Sequence, residues 1–321
     1  MIIGRLLLVA ALVVVLSSAM MVRLWYLQVF EKDFLQDQGD ARTIRMERIN
    51  AHRGIIQDRY GKPLAVSTPA LSLWANPGEV LNTKDPLGPL IDYLGVSEKS
   101  FIDRLSKAQK KNFVYLRRHL PPAEARNIMK LGIAGVYAER EYNRFYPAGE
   151  VTSHLVGFTN IDDKGQEGLE LSYDHWLAGS PGKKKVLKNL HGEIVRDIAP
   201  IAEARSGRDL TLGVDLRLQY LAYRELKSAV IHYEAESGSA VILDVETGRV
   251  LAMVNQPSFN PNNRKGLDMN AVRNRAVTDV FEPGSTVKPF TVGVALQTDR
   301  YEPGTVIDTS PGFYRVGGFT I

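Results

Sequence analysis

The chain has 321 residues, long enough for two or three domains of ordinary size. Its composition, 44% hydrophobic and 24% charged residues, is that of a globular protein, and its formal net charge of +4 would suit an anionic membrane surface or a cell wall. The sequence has no basic run interleaved with aromatic residues, which is the pattern typical of nucleic-acid binding. A chain without cysteine forms neither disulfides nor thiolate sites, which is compatible with a bacterial periplasm.

The first predicted element is an apolar helix. Residues 6–22 are uncharged and nearly all apolar, and the run continues past Arg23 through Trp25 and Tyr26. A bilayer needs about 20 apolar residues, with aromatic side chains at its surface. A cleaved signal peptide is the alternative, but its apolar region is usually only about 7–15 residues long. We predict that residues 1–27 are a retained membrane anchor that spans the bilayer from about residue 6.

The next segment turns polar, and we interpret residues 28–52 as a juxtamembrane stalk. Its last part, residues 43–49, alternates apolar and polar side chains, which predicts a strand. A turn at 58–61 follows, and the apolar residues 64–66 and 71–74 predict two strands paired with each other.

The middle of the chain has a helical pattern over residues 85–131, interrupted by a short strand at 113–116. Its basic group is most simply a solvated helix face, with partner docking as the alternative: Lys107, Lys110 and Lys111. Residues 183–195 predict a hairpin, and residues 204–208 a domain boundary.

Four acidic side chains between these segments could suggest a calcium site: Asp162, Asp163, Glu167 and Glu170. They lack the spacing of a calcium loop. We therefore predict no metal site.

Beyond the boundary the pattern predicts a strand at 210–212, a helix capped by Asp215, and an antiparallel hairpin formed by residues 239–243 and 250–254. Residues 257–263 predict a loop.

A candidate nucleophile follows at Ser285, in a Ser-x-x-Lys sequence. Pro283 and Gly284 can bend the chain, and the apolar residues after Lys288 predict a helix with Ser285 in its first turn. Residues three apart on a helix share a face, so the amine of Lys288 can reach the Ser285 hydroxyl. A serine needs such a base, and the lysine can serve only if burial keeps its amine neutral.

One other Ser-x-x-Lys sequence is present, and a Ser-x-Asn sequence lies near Ser285. Ser180 is followed by Lys183, but in a loop of Gly, Pro and Lys where nothing would bury the amine, so we interpret it as a solvated turn. The Ser-x-Asn at 258–260 lies upstream of Ser285, and we interpret it as loop.

Several longer motifs carry a resemblance to a family. They are Arg53-Gly54-Ile55-Ile56-Gln57-Asp58-Arg59-Tyr60-Gly61-Lys62-Pro63-Leu64-Ala65; Arg144-Phe145-Tyr146-Pro147 with His154 and Gly157; Gly165-Gln166-Glu167-Gly168-Leu169-Glu170; and Glu282-Pro283-Gly284-Ser285-Thr286-Val287-Lys288-Pro289. In this order they resemble the three pedestal motifs and the nucleophile motif of class B penicillin-binding proteins, and among these the septal D,D-transpeptidases of cell division.

The resemblance implies an α+β multidomain fold. It consists of one transmembrane helix, a mixed α+β pedestal (the dimerisation domain) over 53–205, and the start of a β-lactamase-like transpeptidase domain over 206–321. It also implies that the pedestal is held together by a buried ion network of Arg53, Asp58 and Arg59.

The implied function is septal peptidoglycan cross-linking through an acyl-enzyme on Ser285, with Lys288 as the general base and no cofactor. Its substrates would be stem peptides ending in D-Ala-D-Ala, and β-lactams would bind to it. The implied location is the bacterial inner membrane at the septum, with a short cytoplasmic amino terminus and the bulk in the periplasm. Besides membrane lipid, the implied partners are division proteins such as the glycosyltransferase FtsW.

The family's downstream Ser-x-Asn and Lys-Ser/Thr-Gly elements do not follow Lys288. We therefore expect a chain truncated within its transpeptidase domain, unable to acylate and loosely packed after about residue 210. The alternative function is an inactive membrane-anchored scaffold of the division machinery. A β-lactam sensor or β-lactamase ranks below both, because it would not need the pedestal motifs.

Overall fold

The computed structural model describes residues 2–32, 44–188 and 194–320. Residues 33–43 of the predicted stalk and the turn of the predicted 183–195 hairpin therefore lie outside the described residues. The chain divides into two compact units, residues 1–276 and 277–321, and each is described by itself.

The first unit begins with one long helix, α1 (Ile2–Val29). Its stretch Ile3–Val29 is long and apolar enough to cross a membrane, judged by length and composition. The side chain of Trp25 is 60% exposed there. A signal sequence near the amino terminus would pass the same test, so a retained anchor stays a prediction.

Among the described residues, eight strands and seven short α-helices follow as far as residue 211. The strands are β1 (Ile44–Ile49), β2 (Ile56–Gln57), β3 (Pro63–Ala75), β4 (Val114–Leu120), β5 (Val136–Phe145), β6 (Gly182–Lys188), β7 (Ile194–Ala202) and β8 (Leu210–Thr211). The helices are α2 (Pro77–Asn82), α3 (Gly88–Leu94), α4 (Glu98–Lys107), α5 (Pro122–Met129), α6 (Ser153–Val156), α7 (Gly168–Ser172) and α8 (Asp174–Leu177). The predicted helical region with a strand inside it is confirmed.

The main sheet is built around β3. Its strand order is β4-β3-β2-β8, and β5 also pairs with β3, from Val66 opposite Phe145 to Ala75 opposite Val136. The prediction of two paired strands at 64–66 and 71–74 is wrong, because both segments belong to β3. Pro69 does not break the strand, since a proline is tolerated where a strand has only one neighbour, and here that neighbour is β5.

A first core lies where β3, β4 and β5 meet helices α2 to α5. In α4, Ser97 caps the helix and accepts a hydrogen bond from the Ser100 amide, and Phe101 and Leu105, one turn apart, face inward. The large buried side chains of this core include Leu73, Val80, Leu90, Phe101, Leu105 and Ile128. Each contributes about 1.5–3 kcal/mol of apolar burial.

A second core joins segments that are distant in the sequence, among them Ile56, Tyr146, Val156, Leu177 and Phe259. These residues come from the first two pedestal motifs, from α8, and from the loop after residue 256. This core therefore holds the first two motifs against the segment after residue 256.

A separate sheet has the strand order β1-β6-β7. The predicted strand at 43–49 is confirmed as β1, and the predicted hairpin as β6 and β7, which pair antiparallel. Since β1 pairs with β6 from Ile44 to Ile49, the end of the predicted stalk is part of a sheet.

After β8 the chain forms α9 (Leu216–His232), β9 (Gly238–Leu243), β10 (Val250–Gln256), α10 (Met269–Val272) and α11 (Arg275–Thr278). The Asp215 carboxylate caps α9 by accepting from the Arg217 amide, and β9 pairs antiparallel with β10, so the predicted cap and hairpin are confirmed. On β9 the apolar side chains of Val241 and Leu243 are 43% and 54% exposed.

The second unit contains a 3-10 turn (Gly284–Val287) that continues into α12 (Lys288–Gln297), and a small hairpin of β11 (Arg315–Val316) and β12 (Phe319–Thr320). No described residue from 277 to 320 is buried. The apolar side chains of α12, such as Phe290 at 74%, are largely exposed.

Candidate active site

Ser285 lies in the 3-10 turn that opens α12. Gly284 has φ +53°, in the left-handed region that favours glycine, so the predicted bend before the helix is present. The first helical turn is a 3-10 turn rather than an α-helical one. In a 3-10 helix the side chains at i and i+3 eclipse each other, which keeps Ser285 and Lys288 on one side of the helix.

Both candidate catalytic side chains are exposed. Among the described residues, no hydrogen bond joins the Ser285 hydroxyl to the Lys288 amine. The Thr286 hydroxyl donates to the Pro283 carbonyl over 2.7 Å and so stabilises the turn. The second unit therefore presents the Ser-x-x-Lys pair on a helix start without the burial that would favour a neutral lysine.

The other Ser-x-x-Lys sequence is exposed at both of its ends, as predicted, but it is extended and not a turn. Ser180 and Lys183 are exposed; Ser180 forms an isolated bridge with Arg205, and Lys183 belongs to β6. The Ser-x-Asn at 258–260 is in a loop, where the Ser258 hydroxyl contacts the Tyr223 hydroxyl at 3.0 Å.

A buried ion network connects the three pedestal motifs at Glu170. Its two carboxylate oxygens each accept from a guanidinium Nε at 2.7 Å, one from Arg53 and one from Arg144. These three side chains are at most 2% exposed. Arg53 also binds the Asp174 carboxylate at 2.7 Å and donates to the backbone carbonyls of Glu170 and Asp163, each at 3.0 Å. One residue from each motif thus meets at a single point.

The predicted ion network is therefore partly wrong. Arg53 is in it, but Asp58 and Arg59 are not. The Asp58 carboxylate accepts from the amides of Tyr60 and Lys62, both at 2.8 Å, and from the Leu216 amide at 3.2 Å, so it holds a turn and the start of α9. Arg59 is exposed, with its guanidinium 5.5 Å from the centre of the Tyr60 ring.

The partners that were missed lie inside the quoted motifs. Arg144 and Glu170 have opposite charges, and this was the one feature of the sequence that could have predicted an ion pair between them. Their separation in the sequence gave no reason to pair them. Asp162, considered for calcium, instead pairs with Arg118 at 2.7 Å. Among residues 2–32, 44–188 and 194–320, no group of three His, Asp or Glu side chains could hold a metal ion.

A polar residue of α9 joins the second motif to the hairpin. Gln219 is fully buried, and its amide donates to the carbonyls of Val151 at 2.8 Å and Met253 at 2.7 Å, while its oxygen accepts from the Met253 amide at 2.8 Å. Every buried polar atom of this side chain therefore has a partner.

The loop after β10 contacts the same motif. The Asn262 side chain accepts from the Tyr146 amide at 3.0 Å and donates to the Tyr146 carbonyl at 2.9 Å. The His154 ring shares a 2.8 Å hydrogen bond with the Ala271 carbonyl, which requires a proton on Nε2, and burial lowers the His154 pKa, which favours the neutral ring. The pedestal motifs thus support the start of the transpeptidase segment.

Comparison with known proteins agrees with this organisation. The model of the penicillin-binding protein dimerisation domain matches residues 48–212, and that of the penicillin-binding protein transpeptidase domain matches residues 238–320. Fold and matches define a chain with a dimerisation domain followed by transpeptidase-domain sequence. The chain belongs to the penicillin-binding proteins, as its motifs predicted.

Two curated relatives are similar over nearly the whole chain. The probable peptidoglycan D,D-transpeptidase PbpC of Pseudomonas aeruginosa is 43% identical over 99% of this chain and 56% of its own length. The peptidoglycan D,D-transpeptidase FtsI of Escherichia coli K12 is 45% identical over 93% of this chain and 51% of its own length. The chain thus spans about half the length of these relatives.

Solved structures share the fold. A peptidoglycan synthetase from Bifidobacterium adolescentis has a TM-score of 0.59 at 25% identity and covers 87% of this chain, which spans 55% of that protein. Penicillin-binding protein PBP2 in a complex with MreC from Helicobacter pylori has a TM-score of 0.64 at 23% identity, and the match covers 86% of this chain and 57% of that one.

Proposed function

We propose that this chain is part of a membrane-anchored serine D,D-transpeptidase that cross-links septal peptidoglycan during cell division. The observation that carries the proposal is the Ser285-x-x-Lys288 pair at the start of α12, inside the segment that matches the transpeptidase domain. The likeness to D,D-transpeptidases over more than nine-tenths of the chain supports it.

In the proposed reaction, the Ser285 oxygen attacks the carbonyl of the penultimate D-alanine of a stem peptide. Lys288 takes the hydroxyl proton and returns it to the amine of the terminal D-alanine, which leaves as the peptide bond breaks. An amine of a neighbouring strand then attacks the acyl-enzyme, which forms the cross-link and restores the serine hydroxyl. A β-lactam would acylate the same oxygen.

The proposal requires that the Lys288 amine be desolvated in the working enzyme. A lysine in water stays protonated at neutral pH and cannot accept a proton. In this proposal the groups that bury it lie outside residues 277–320. The family's Ser-x-Asn and Lys-Ser/Thr-Gly elements are the groups we expect there.

The proposed location is the bacterial inner membrane at the septum, with α1 as a single-pass anchor, the short amino terminus in the cytoplasm and the bulk in the periplasm. The proposed partners are division proteins such as FtsW. The complex of a related fold with MreC supports protein partners in general.

A fluorescent penicillin tests the nucleophile. We would continue residues 1–321 with the remaining carboxyl-terminal part of the E. coli relative and expect this chimera to be labelled. Ser285→Ala should abolish labelling, because no acyl-enzyme can form. Ser180→Ala, the matched control in the other Ser-x-x-Lys sequence, should leave it unchanged. Labelling of the Ser285→Ala chimera would place the nucleophile elsewhere.

The second candidate function is a membrane-anchored scaffold that does not acylate. The exposure of both Ser285 and Lys288 favours it for residues 1–321 alone. For that chain we expect no penicillin label, and stoichiometric labelling would exclude the hypothesis of a scaffold that does not acylate.

A further inference from the structure

The small sheet of β1, β6 and β7 has one face that is strongly basic. Side chains directly opposite each other on paired strands point to the same face of a sheet. The register sets Arg48 opposite Lys183, Met46 opposite Lys185, and Leu187 opposite both Ile44 and Arg196. We call this the basic face, and its residues are Ile44, Met46, Arg48, Lys183, Lys185, Leu187 and Arg196.

The carboxylates of the three strands lie on the other face. Glu47 and Asp197 are the acidic residues within the described ranges of β1, β6 and β7. Both bind Lys184, at 3.8 Å and 3.0 Å, and Lys184 is directly opposite Glu47. Both carboxylates within the described strands therefore lie on one face of the sheet, whereas the charged residues of the other face are all cations.

The four cations of the basic face are all exposed, and none forms a salt bridge within the described chain. Arg48 directly opposite Lys183 is a like-charge pair, which destabilises a sheet. Lysines often protect sheet edges from pairing, but Lys183 and Lys185 are on β6, the central strand. An anion bound from outside the sheet would relieve this repulsion.

An apolar side chain lies among these cations. Met46 is 56% exposed, and its partner across the sheet is Lys185. Basic residues beside an exposed apolar side chain are typical of surfaces that bind anionic membranes, where the cations meet headgroups and the apolar group enters the boundary.

The position of β1 in the sequence favours the same partner. It begins fifteen residues after α1 ends, and a chain of that length spans at most about 50 Å. A helix held in a bilayer would therefore keep the basic face close to the headgroups, which raises their effective concentration at this face.

We propose that the basic face binds the anionic lipid headgroups of the membrane that holds α1. The inference rests on the membrane anchor of the proposed function. Each lysine or arginine near an anionic surface changes the bound-to-free ratio about fivefold, and the attraction falls off within a Debye length.

Because the chain has no cysteine, a single introduced cysteine can carry a fluorophore at one chosen position. The full chain would carry an environment-sensitive fluorophore at Ala202→Cys, which is exposed and opposite Lys183. A chain labelled at Ser106→Cys, exposed on α4, is the control. Both would be reconstituted into vesicles of phosphatidylcholine alone or mixed with phosphatidylglycerol, with spin-labelled lipid as the quencher.

We expect quenching at position 202 to rise with phosphatidylglycerol and to fall in high salt, while position 106 stays unquenched. The triple variant Arg48→Glu, Lys183→Glu, Lys185→Glu should lower the bound-to-free ratio at least about 100-fold. The triple variant Lys107→Glu, Lys110→Glu, Lys111→Glu changes the net charge equally on α4 and the turn after it, and should leave quenching intact.

Vesicles with a cationic lipid should restore quenching in the first triple variant, which shows that its sheet is folded. Equal quenching at position 202 with and without phosphatidylglycerol, or quenching that survives the charge reversal, would overturn the proposal and would point to a protein partner for this face. If the chain fails to float with neutral vesicles, the anchor is wrong, and position 202 still reports whether the basic face binds phosphatidylglycerol vesicles.

Discussion

The Glu170 carboxylate is fully buried, and a guanidinium contacts each of its two oxygens. The desolvation of three ions is costly, and the attraction between them offsets that cost only if every partner is in place. Glu170 is the shared partner: its loss would leave Arg144 without a carboxylate partner among the described residues and Arg53 with only the half-exposed Asp174.

We expect Glu170→Gln to lower the free energy of unfolding of the pedestal by about 3–5 kcal/mol, because two guanidiniums would lose their shared counter-charge. Urea unfolding of the detergent-solubilised chain measures this. Glu225→Gln makes the same change in an exposed pair, in which Glu225 contacts Arg224 at 2.6 Å, and should cost less than about 1 kcal/mol. Equal losses in the two variants would show that Glu170 is not a central contact.

Asp163 provides a pH-dependent test beside this network. Burial raises its pKa to about 6, although the guanidiniums of Arg53 and Arg144 oppose the shift. One of its carboxylate oxygens is buried without a hydrogen-bond partner among the described residues. The pKa in the unfolded chain is about 4, so the folded state binds the proton more tightly. The free energy of unfolding therefore falls as pH rises from about 4 to 6, and above pH 6 the loss is complete.

Asp163→Asn stays neutral at every pH and tolerates the φ of +60° at this position. We expect it to match the parent at pH 4 and to exceed its stability by about 1–3 kcal/mol at pH 7. Melting curves across that range test this. Asp162→Asn changes the exposed neighbour and should bring no such gain. A difference between Asp163→Asn and parent that does not vary with pH would refute the argument.

Residue roles that depend on local sequence could be predicted, and those that depend on distant contacts could not. Asp215 was predicted as a helix cap because a cap is defined by its immediate neighbours. Arg59 was placed in the ion network with Arg53 because both are charged residues of one motif. Asp58, however, turns inward to bind three amides, and its neighbour Arg59 points to solvent.

At the scale of elements the same division holds. The β6–β7 and β9–β10 hairpins were predicted because their strands adjoin in sequence. β3 was divided into two strands because the polar residues around Pro69 have the local pattern of a turn. Only β5, more than sixty residues away, provides the partner that keeps the strand extended through that point.

The turn between α6 and α7 gives a test of close packing. Gly157 has φ +76°, and a Cβ added there would lie 1.8 Å from the Glu167 carbonyl oxygen. Gly157→Ala should therefore lower the free energy of unfolding by more than about 3 kcal/mol. The backbone at Glu167 must move away from the added Cβ, and the alanine must also adopt a φ that is strained for it. Gly248→Ala is the matched control, because its φ of +69° is similar but no atom lies within 4 Å. It should cost only about 1–2 kcal/mol in thermal or urea unfolding. Similar losses would show that the close approach has no effect.

At the scale of the whole molecule, the order of the motifs predicted the domain types, whereas the way the domains join was beyond the sequence. The predicted boundary at 204–208 precedes β8, and β8 is a strand of the pedestal sheet beside β2. That pairing is between residues about 150 apart, and no local pattern predicts it.

The anchor has a direct test at this scale. We predict that α1 remains in the mature protein, because its apolar run is longer than that of a signal peptide and is followed by Trp25 and Tyr26. Mass spectrometry of the protein extracted from membranes should find the amino terminus intact. A mature chain that starts shortly after Ala19 or Met20 would show that the segment is cleaved.

The pairing of β2 with β8 also determines how the molecule would respond to mechanical tension. Amides of Leu210 and Leu212 donate to carbonyls of Ile55 and Gln57 at 2.8 Å and 2.9 Å, and the Arg59 amide donates to the Val214 carbonyl at 3.0 Å. A pull along these parallel strands would load all three bonds together instead of opening them one after another. Force applied between the segment before β2 and the segment after β8 would thus be carried in shear by the first motif, and α9 would stay attached to the pedestal sheet until all three bonds broke.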